Sequence, residues 1–385
     1  MRTVKNLDVA GKKVLVRVDF NVPLQNGQVA DDYRLVTAFP TIKYLLEKKA
    51  RIILMSHLGR PDGKVVEKLR LAPVAKRVQE LLGHPVQYVN DCIGPAVQDA
   101  VANLKEGEIL LLENLRFYPG EEKNDPEFAQ ELAKLGEVYV NDAFSAAHRA
   151  HASTYALASL LPSGAGFLME KEVAALSKIK DCPDHPFVVV LGGAKVSDKI
   201  GIINNLIDKA DCLLIGGGMA FTFLRAQNIP TGKSLVETDK IAYASELLKR
   251  AGEKIVLPVD VIAAPAIEEN APWQEVSVAN IPPEWMGLDI GSQTIARFIE
   301  IIGKARSVFW NGPLGVFEIP VFSKGTFSIR DAIAANNKIT VIGGGDTASA
   351  VADCLERFTH VSTGGGASLE FLEGRILPGI AALED

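Results

Sequence analysis

Cysteine is scarce in this chain. Four of 385 residues are cysteine (Cys92, Cys182, Cys212 and Cys354), and none sit at CxxC spacing. That pattern suggests neither a zinc site nor a disulfide framework, and it leaves buried thiols in a reducing compartment as the expectation. No run approaches the ~20 apolar residues of a membrane helix. The opening "MRTVKNLDVAGKKVLVRVDF" lacks an apolar signal core, so the cytoplasm is the expected location and no membrane is expected as a partner. A basic excess is missing too. The net charge is −6, which argues against a nucleic-acid binder with a dominant basic surface. No repeat of 20–50 residues and no low-complexity segment stands out, so nothing points to a repeat array.

What is present is an ordinary soluble composition, 48% hydrophobic and 23% charged. The length exceeds one typical core and suits two domains of roughly 150–200 residues. The charge is uneven. Residues 1–165 carry 21 Lys and Arg against 20 Asp and Glu, and the remainder carries 20 against 27. Four of the six histidines also lie in the first part. A small anionic ligand would find its better home there.

Apolar strand patterns alternate with helical stretches along the whole chain, which predicts an α/β fold. Each strand pattern ends in polar or glycine chemistry. "KKVLVRV" enters Asp19-Phe20-Asn21, "RIILM" enters Ser56-His57-Leu58-Gly59-Arg60, "EILLLEN" enters Leu115-Arg116, and "EVYVN" enters Asp142 and then His148-Arg149. Later, "FVVVL" meets Gly192-Gly193-Ala194-Lys195 and "CLLI" meets Gly216-Gly217-Gly218. "KIVLPV" meets Asp260 and "SVFW" meets Asn311-Gly312-Pro313. "ITVI" meets Gly343-Gly344-Gly345-Asp346, and "HVS" meets Thr363-Gly364-Gly365-Gly366. In open parallel sheets, ligands bind beyond the carboxyl ends of the strands. The pattern therefore predicts two sheets with two active edges, one rich in Arg, His, Asp and Asn, the other in glycine. Pro162, Gly164 and Gly166 break the chain before a long helical pattern, which places the division at about residue 168.

Five motifs carry the chemistry. Gly343-x-Gly345-x-x-Ala348 satisfies a loose dinucleotide fingerprint, and an NAD-dependent dehydrogenase is the alternative it supports. Asp346 would, however, repel a phosphate directly. A divalent cation between them resolves the conflict, with Asp346 on Mg²⁺ and Mg²⁺ on phosphate. Amides at the helix start would face the remaining oxygens. Gly232-Lys233-Ser234 looks like the tail of a P-loop, but the glycine required at 227 is Gln227, so an ordinary loop is expected. Lys195 and Lys199 are four apart, as on one helix face. Isolated lysines are usually solvated, yet these open a helix past a strand and two glycines, which favours phosphate contact.

Arg34, Arg60, Arg116 and Arg149 accompany His57 and His148. Single arginines are usually surface ion-pair partners, but three of these four follow strand ends, and guanidinium forks bind phosphate or carboxylate. His148 and His151 have no third ligand nearby, so zinc is not expected. Trp310 and Phe317 in "WNGPLGVFE" could form either a buried turn or an apolar slot for a base, with Glu318 reaching a ribose.

Taken in order, "RVDFNVP", "SHLGRP", "ENLRF", "NDAFSAAHRAHAS", "GGAKVSDKI", "GGGMAFTFL", "WNGPLGVFE", "GGGDTASA" and "STGGGASLEFLEG" span nearly the whole chain. As a set they closely resemble the phosphoglycerate kinase family. The resemblance implies ATP and 3-phosphoglycerate exchanging a phosphoryl group to give ADP and 1,3-bisphosphoglycerate, with Mg²⁺. It implies a monomer of two doubly wound parallel-sheet (Rossmann-like) domains facing across a hinged cleft. Residues 1–168 would bind the acid and residues 169–372 the nucleotide, while the tail 373–385 would return to the first domain.

By matching motif, Asp19 and Asn21 would hold the hydroxy acid. His57, Arg60, Arg116 and Arg149 would hold its phosphate, with Leu58 and Gly59 in the same turn. Arg34 would contact the reacting carboxylate and, with Lys195, the phosphoryl group in flight. Lys199 and Thr347 would bind nucleotide phosphates, Asp346 the metal, and Glu318 the ribose. Gly216, Gly217, Gly287 and Leu288 would line the base pocket. Asn311 and Gly343 would belong to the same nucleotide site. Amides of Gly344, Gly345, Gly365 and Gly366 would point at the transferring group. One departure stands out: Ser145-Ala146 replaces the more usual Gly followed by Thr or Ser.

Overall fold

In a computed structural model that describes residues 1–335 and 338–384, the apolar runs become parallel strands packed on both faces. The first unit runs from Met1 to Ala174 and regains the chain from Ile376 onward. Its sheet contains β1 (Lys13–Arg17), β2 (Arg51–Met55), β3 (Val86–Tyr88), β4 (Ile109–Leu111), β5 (Val138–Asn141) and β6 (Ser163–Ala165). The spatial order is β3-β4-β2-β1-β5-β6, and every pairing is parallel. Val14 sits opposite Ile52 on one side and Val138 on the other. Helices cover both faces of such a sheet, so its strands read as near-continuous apolar runs rather than alternating ones.

The second unit, Ala175–Arg375, repeats the plan. It holds β7 (Phe187–Leu191), β8 (Cys212–Ile215), β9 (Ile255–Val256), β10 (Asp260–Ala264), β11 (Gln274–Ser277), β12 (Met286–Ile290), β13 (Ser307–Asn311), β14 (Ile339–Gly343) and β15 (His360–Val361). The parallel sheet has the order β9-β8-β7-β13-β14-β15, and β11-β10-β12 form a separate antiparallel sheet. Phe187 through Leu191 are all buried. Each fully buried branched or aromatic side chain contributes roughly 1.5–3 kcal/mol.

Local chemistry sets several boundaries. Asp125 caps the helix Pro126–Ala133, its Oδ1 accepting from Glu127 N at 2.8 Å and Phe128 N at 3.4 Å, with proline at the first helical position. Gly83 ends the helix Ala72–Leu82 at φ 66°.

Several expectations are corrected. The division falls at residue 174, not 168, inside the helix Phe167–Asp181. The segment taken as a chain break, around Pro162 and Gly164, contains β6. Its small residues lack a β-branched signal, and pairing with β5, together with a bridge from Ala165 to Thr3, aligns them as a strand. Asp260 does not end a parallel strand. It begins β10 of the antiparallel sheet, where its carboxylate accepts from Thr294 N at 2.8 Å and Gln293 N at 2.9 Å. Cys182 is exposed, not buried. The chain returns to the first unit from Ile376 rather than 373, and Asp385 of that tail lies outside the described residues.

Candidate active site

In each parallel sheet the chain reverses its direction of travel beside the first strand, between β1 and β5 and between β7 and β13. The crevice beyond the carboxyl ends of the strands at such a point is where doubly wound sheets bind ligands.

At the first crevice, Asp19 follows β1 and is buried. One of its oxygens accepts from the Arg34 guanidinium and from the Ser145 hydroxyl, and the other accepts from Asn21 N at 3.1 Å. Ser145, the departure noted above, thus ties the turn after β5 to the turn after β1. Asn21 Oδ1 in turn accepts Gly59 N at 2.9 Å, and Arg116 Nη1 donates to Gly59 O at 2.9 Å. The structure therefore brings together Asp19, Asn21, Arg34, Gly59 and Arg116. Arg60 and Arg149 are exposed, without a carboxylate partner among the described residues.

Arg116 is nearly buried. Burial draws its guanidinium below the usual range, against the opposing pull of Glu122 at 3.1 Å, and Arg17 and Arg149 add to the lowering. Clustered cations that destabilise one another in this way would be relieved by an anion. His57 is buried and held well below its ordinary value, first by burial and then by Arg17, Arg116, Arg34 and His151. Its surroundings thus favour the neutral imidazole. Leu58 does not face outward. Its side chain is in the core, its N–H donates to Asn114 Oδ1 at 3.2 Å, and its carbonyl accepts Asn114 Nδ2 at 2.7 Å.

The second crevice is floored by three turns in backbone contact. Gly193 N donates to Pro313 O at 2.8 Å, Gly217 N to Leu314 O at 3.1 Å, and Met219 N to Gly193 O at 3.0 Å. A Cβ on Gly192 would lie 2.0 Å from Pro313 O, so the contact admits only glycine. Beside these turns lies a cavity of about 320 Å³. Gly217, Gly287, Leu288, Glu318 and Asp346 all line it, together with apolar Phe221, Met286, Leu314 and Val316.

Gly216 is not in the lining, and neither Trp310 nor Phe317 forms the slot. Trp310 is fully buried, with Nε1 donating to Gly312 O at 2.8 Å, while Phe317 packs edge-on against Phe327. Lys195 and Lys199 do not share a helix face, because the α-helix begins only at Ile200 after a 3₁₀ turn, Ser197–Lys199. Lys195 is exposed. Lys199 donates to Asn311 Oδ1, and Asn311 Nδ2 donates to Gly343 O at 2.7 Å. Asn311 is therefore the clamp that aims Lys199. Burial lowers the Lys199 ammonium, while Asp198 and Asp346 pull the other way.

Thr347 is buried, and its hydroxyl accepts Gly312 N at 2.6 Å. Gly344, at φ 88°, and exposed Gly345 lead into the helix Gly345–Ala350, whose first turn carries exposed Asp346. A bare carboxylate at that mouth is the reverse of what a dinucleotide pyrophosphate needs. Gly366, also exposed, opens the helix Gly366–Leu372 behind Gly365 at φ 53°. Gly232-Lys233-Ser234 forms a loop, as expected, and Ser234 Oγ accepts Gly287 N at 2.9 Å.

Sequence reasoning missed five residues here: Arg17, Asn114, Glu121, Ser153 and Asp289. Arg17 carried a signal, a charge inside an otherwise apolar strand. Asp289 lines the cavity, and its carboxyl is pushed up to about 7 by burial, against bonds from Gly325 N and Ile290 N.

A cationic crevice in one doubly wound unit and a glycine-floored, apolar cavity with one bare aspartate in the other define an α/β phosphotransferase. The sequence matches the phosphoglycerate kinase family over residues 4–375. It is 55% identical to the phosphoglycerate kinase of Moorella thermoacetica over all of this chain and 99% of that one. It is 54% identical to that of Pelotomaculum thermopropionicum at the same coverage. The structure of phosphoglycerate kinase from Coxiella burnetii superposes with a TM-score of 0.90 at 41% identity, covering 99% of this chain and 98% of that one. The Pyrococcus horikoshii OT3 enzyme superposes at 0.88 with 34% identity, covering 100% and 98%. The chain belongs to the phosphoglycerate kinase family.

Proposed function

We propose that this chain transfers a phosphoryl group reversibly between ATP and the carboxylate of 3-phosphoglycerate, giving ADP and 1,3-bisphosphoglycerate. The observation that carries the reading is the segregation of chemistry described above. In the first unit, Arg34, Arg60, Arg116, Arg149 and His57 would hold the acid and its phosphate, and Asp19 and Asn21 its hydroxyl. The second unit offers an apolar cavity large enough for a nucleobase, lined by Glu318, which would take a ribose, and by Asp346; Asp346 and its electrostatic neighbour Lys199 would take the phosphates.

The attacking carboxylate is already ionised at neutral pH, so no general base is required. The difficulty is bringing one anion onto another, which makes the reaction chiefly positioning and charge stabilisation. Arg34 and Lys195 supply mobile positive charge, and the amides of Gly344, Gly345, Gly365 and Gly366 supply fixed dipoles. Mg²⁺ fits as a passenger of the nucleotide. Magnesium is commonly held by one or two carboxylates plus phosphate oxygens and water. Asp346 is one exposed carboxylate, and among the described residues no cluster of three or more His, Cys, Asp or Glu could hold a metal. Asp346 would hold the Mg²⁺, which would supply neutralisation of phosphate charge.

In-line transfer needs the two substrates in near contact, so the reading includes a closing motion that also excludes water. It takes the enzyme as a monomer of the cytoplasm acting in glycolysis, gluconeogenesis or carbon fixation. Among the described residues no helix is long and apolar enough to cross a membrane. A coupled assay with ATP, Mg²⁺ and 3-phosphoglycerate tests the activity. Turnover that needs all three is expected, and none with any combination would overturn the reading.

A further inference from the structure

Arg17 lies at the end of β1, fully buried, and each of its three side-chain nitrogens makes a contact. Nε donates to Ser153 Oγ at 2.9 Å, Nη1 to Val18 O at 2.5 Å, and Nη2 lies 3.1 Å from His57 Nδ1. Behind it, the fully buried Glu121 accepts Ser153 Oγ at 2.6 Å and Ser153 N at 3.0 Å. Arginine has donors only and stays charged. A contact between Nη2 and Nδ1 therefore requires Nδ1 to be the acceptor, without a proton. In a neutral ring the proton must then sit on Nε2, which has no hydrogen-bond partner among the described residues.

We infer that Arg17 is a positioning residue that, held by Ser153 and Glu121, fixes His57 in the Nε2–H tautomer as a neutral donor for the anionic substrate. The chain of contacts runs from Glu121 through Ser153 and Arg17 to His57. It places the balancing negative charge away from the crevice and leaves the crevice itself electropositive. The inference deepens the proposed function, since it rests on 3-phosphoglycerate binding at this cluster.

After burial itself, the groups that disfavour a charged His57 ring are Arg17, Arg116, Arg34 and His151, all of them basic; the nearest carboxylate on the crevice side, Asp19, is engaged by Arg34. Protonating the ring would add a cation beside three guanidinium groups and would break the Nη2–Nδ1 contact. The ring therefore holds one protonation state from pH 6 to pH 8, a range in which an exposed histidine would titrate.

The experiment is ¹⁵N NMR of the histidine rings of the intact, ligand-free protein from pH 6 to 8, with His57 assigned by its loss in His57→Gln. The expected His57 signals are pyridine-type at Nδ1 and pyrrole-type at Nε2, both unmoved by pH. A proton on Nδ1, or a ring titrating near its ordinary value, would overturn the inference. In Arg17→Met and Ser153→Ala the ring should begin to titrate. Affinity for 3-phosphoglycerate relative to wild type should fall ~10-fold at pH 8 in Arg17→Met and recover toward pH 6, a size set by losing one charge-linked hydrogen bond.

Taking the ratio to wild type at each pH cancels the titration of the ligand's own phosphate. An Arg17→Met protein that folds and leaves the His57 signals unchanged would also overturn the inference. Should that variant not fold, the wild-type spectrum and Ser153→Ala decide. Unchanged 3-phosphoglycerate affinity in His57→Gln would instead overturn the substrate assignment while the tautomer result stood.

Discussion

Asp19 sits among cations as an organiser. By accepting from Arg34, Ser145 and Asn21 N, it holds in place the guanidinium to which the proposed reaction assigns the reacting group. Arg34 keeps about a third of its side-chain surface exposed (34%), so it remains free to re-pair with substrate. Arg34→Ala should lower kcat by ~100-fold or more, the scale of losing one transition-state charge contact, and barely change nucleotide affinity. Equal losses in kcat and nucleotide affinity would count against its role. Asp346→Ala should weaken Mg-nucleotide binding ~10- to 100-fold and spare 3-phosphoglycerate, and calorimetric titration with each ligand separates the two. At this scale the guanidinium and glycine positions were legible, because charged or bare residues directly after apolar runs are conspicuous. Asn114 and Ser153 were not, because a buried amide or hydroxyl looks like any loop residue until its partners are in place.

Turns, more than strands, carry the function at the scale of elements. The strands are apolar rods apart from residues at their ends such as Arg17 and Asn311, while Gly192, Gly312 and their neighbours let three turns meet backbone to backbone. One helix start is also chemically tuned. Asp142 Oδ1 accepts Leu168 N at 2.9 Å and Met169 N at 3.2 Å at the head of the helix Phe167–Asp181. Burial pushes its carboxyl up to about 6, against the lowering pull of Thr41 and of those two N–H groups. Its folded value is raised above the unfolded one, near 3.9. The stability it contributes is therefore fully present below about pH 3.9 and is lost as pH rises through 6, a swing of about 3 kcal/mol. Asp142→Asn should flatten the stability profile between about pH 4 and 6, as read by urea denaturation across that range. An unchanged slope would show that this carboxyl does not titrate there. The P-loop lookalike at Gly232 and the supposed pair of lysines on one helix face show the limit of spacing arguments. Lys195 and Lys199 are four apart, but a 3₁₀ turn ends at Lys199 and separates them from the α-helix.

The whole molecule repeats one architecture twice with opposite chemistry. The charge asymmetry along the chain matches this division, with four of the six histidines and the balanced charge in the first part and the acidic excess in the rest. The first unit is completed only by the end of the chain. Leu377, Ile380 and Leu383 are buried there, Gly379 N donates to Ala147 O at 2.8 Å, and Arg2 N donates to Leu383 O at 3.3 Å. Ending the chain after Arg375 should remove ~5 kcal/mol or more from the first unit, at roughly 1.5–3 kcal/mol per buried side chain. Affinity for 3-phosphoglycerate should fall more than affinity for nucleotide, since Ala147 adjoins His148 and Arg149. Thermal denaturation and titration with each ligand would check this.

The order of residues alone determined the α/β class, the two-part plan, and which strand ends bear charge or glycine. Those properties follow from hydrophobic runs and from the covalent placement of polar residues after them. Tertiary structure alone decided which of those ends meet. Ser145 reaches Asp19 across 126 residues and Lys199 reaches Asn311 across 112. Such pairings depend on the spatial order of strands in a sheet, a non-local choice made by packing the whole core.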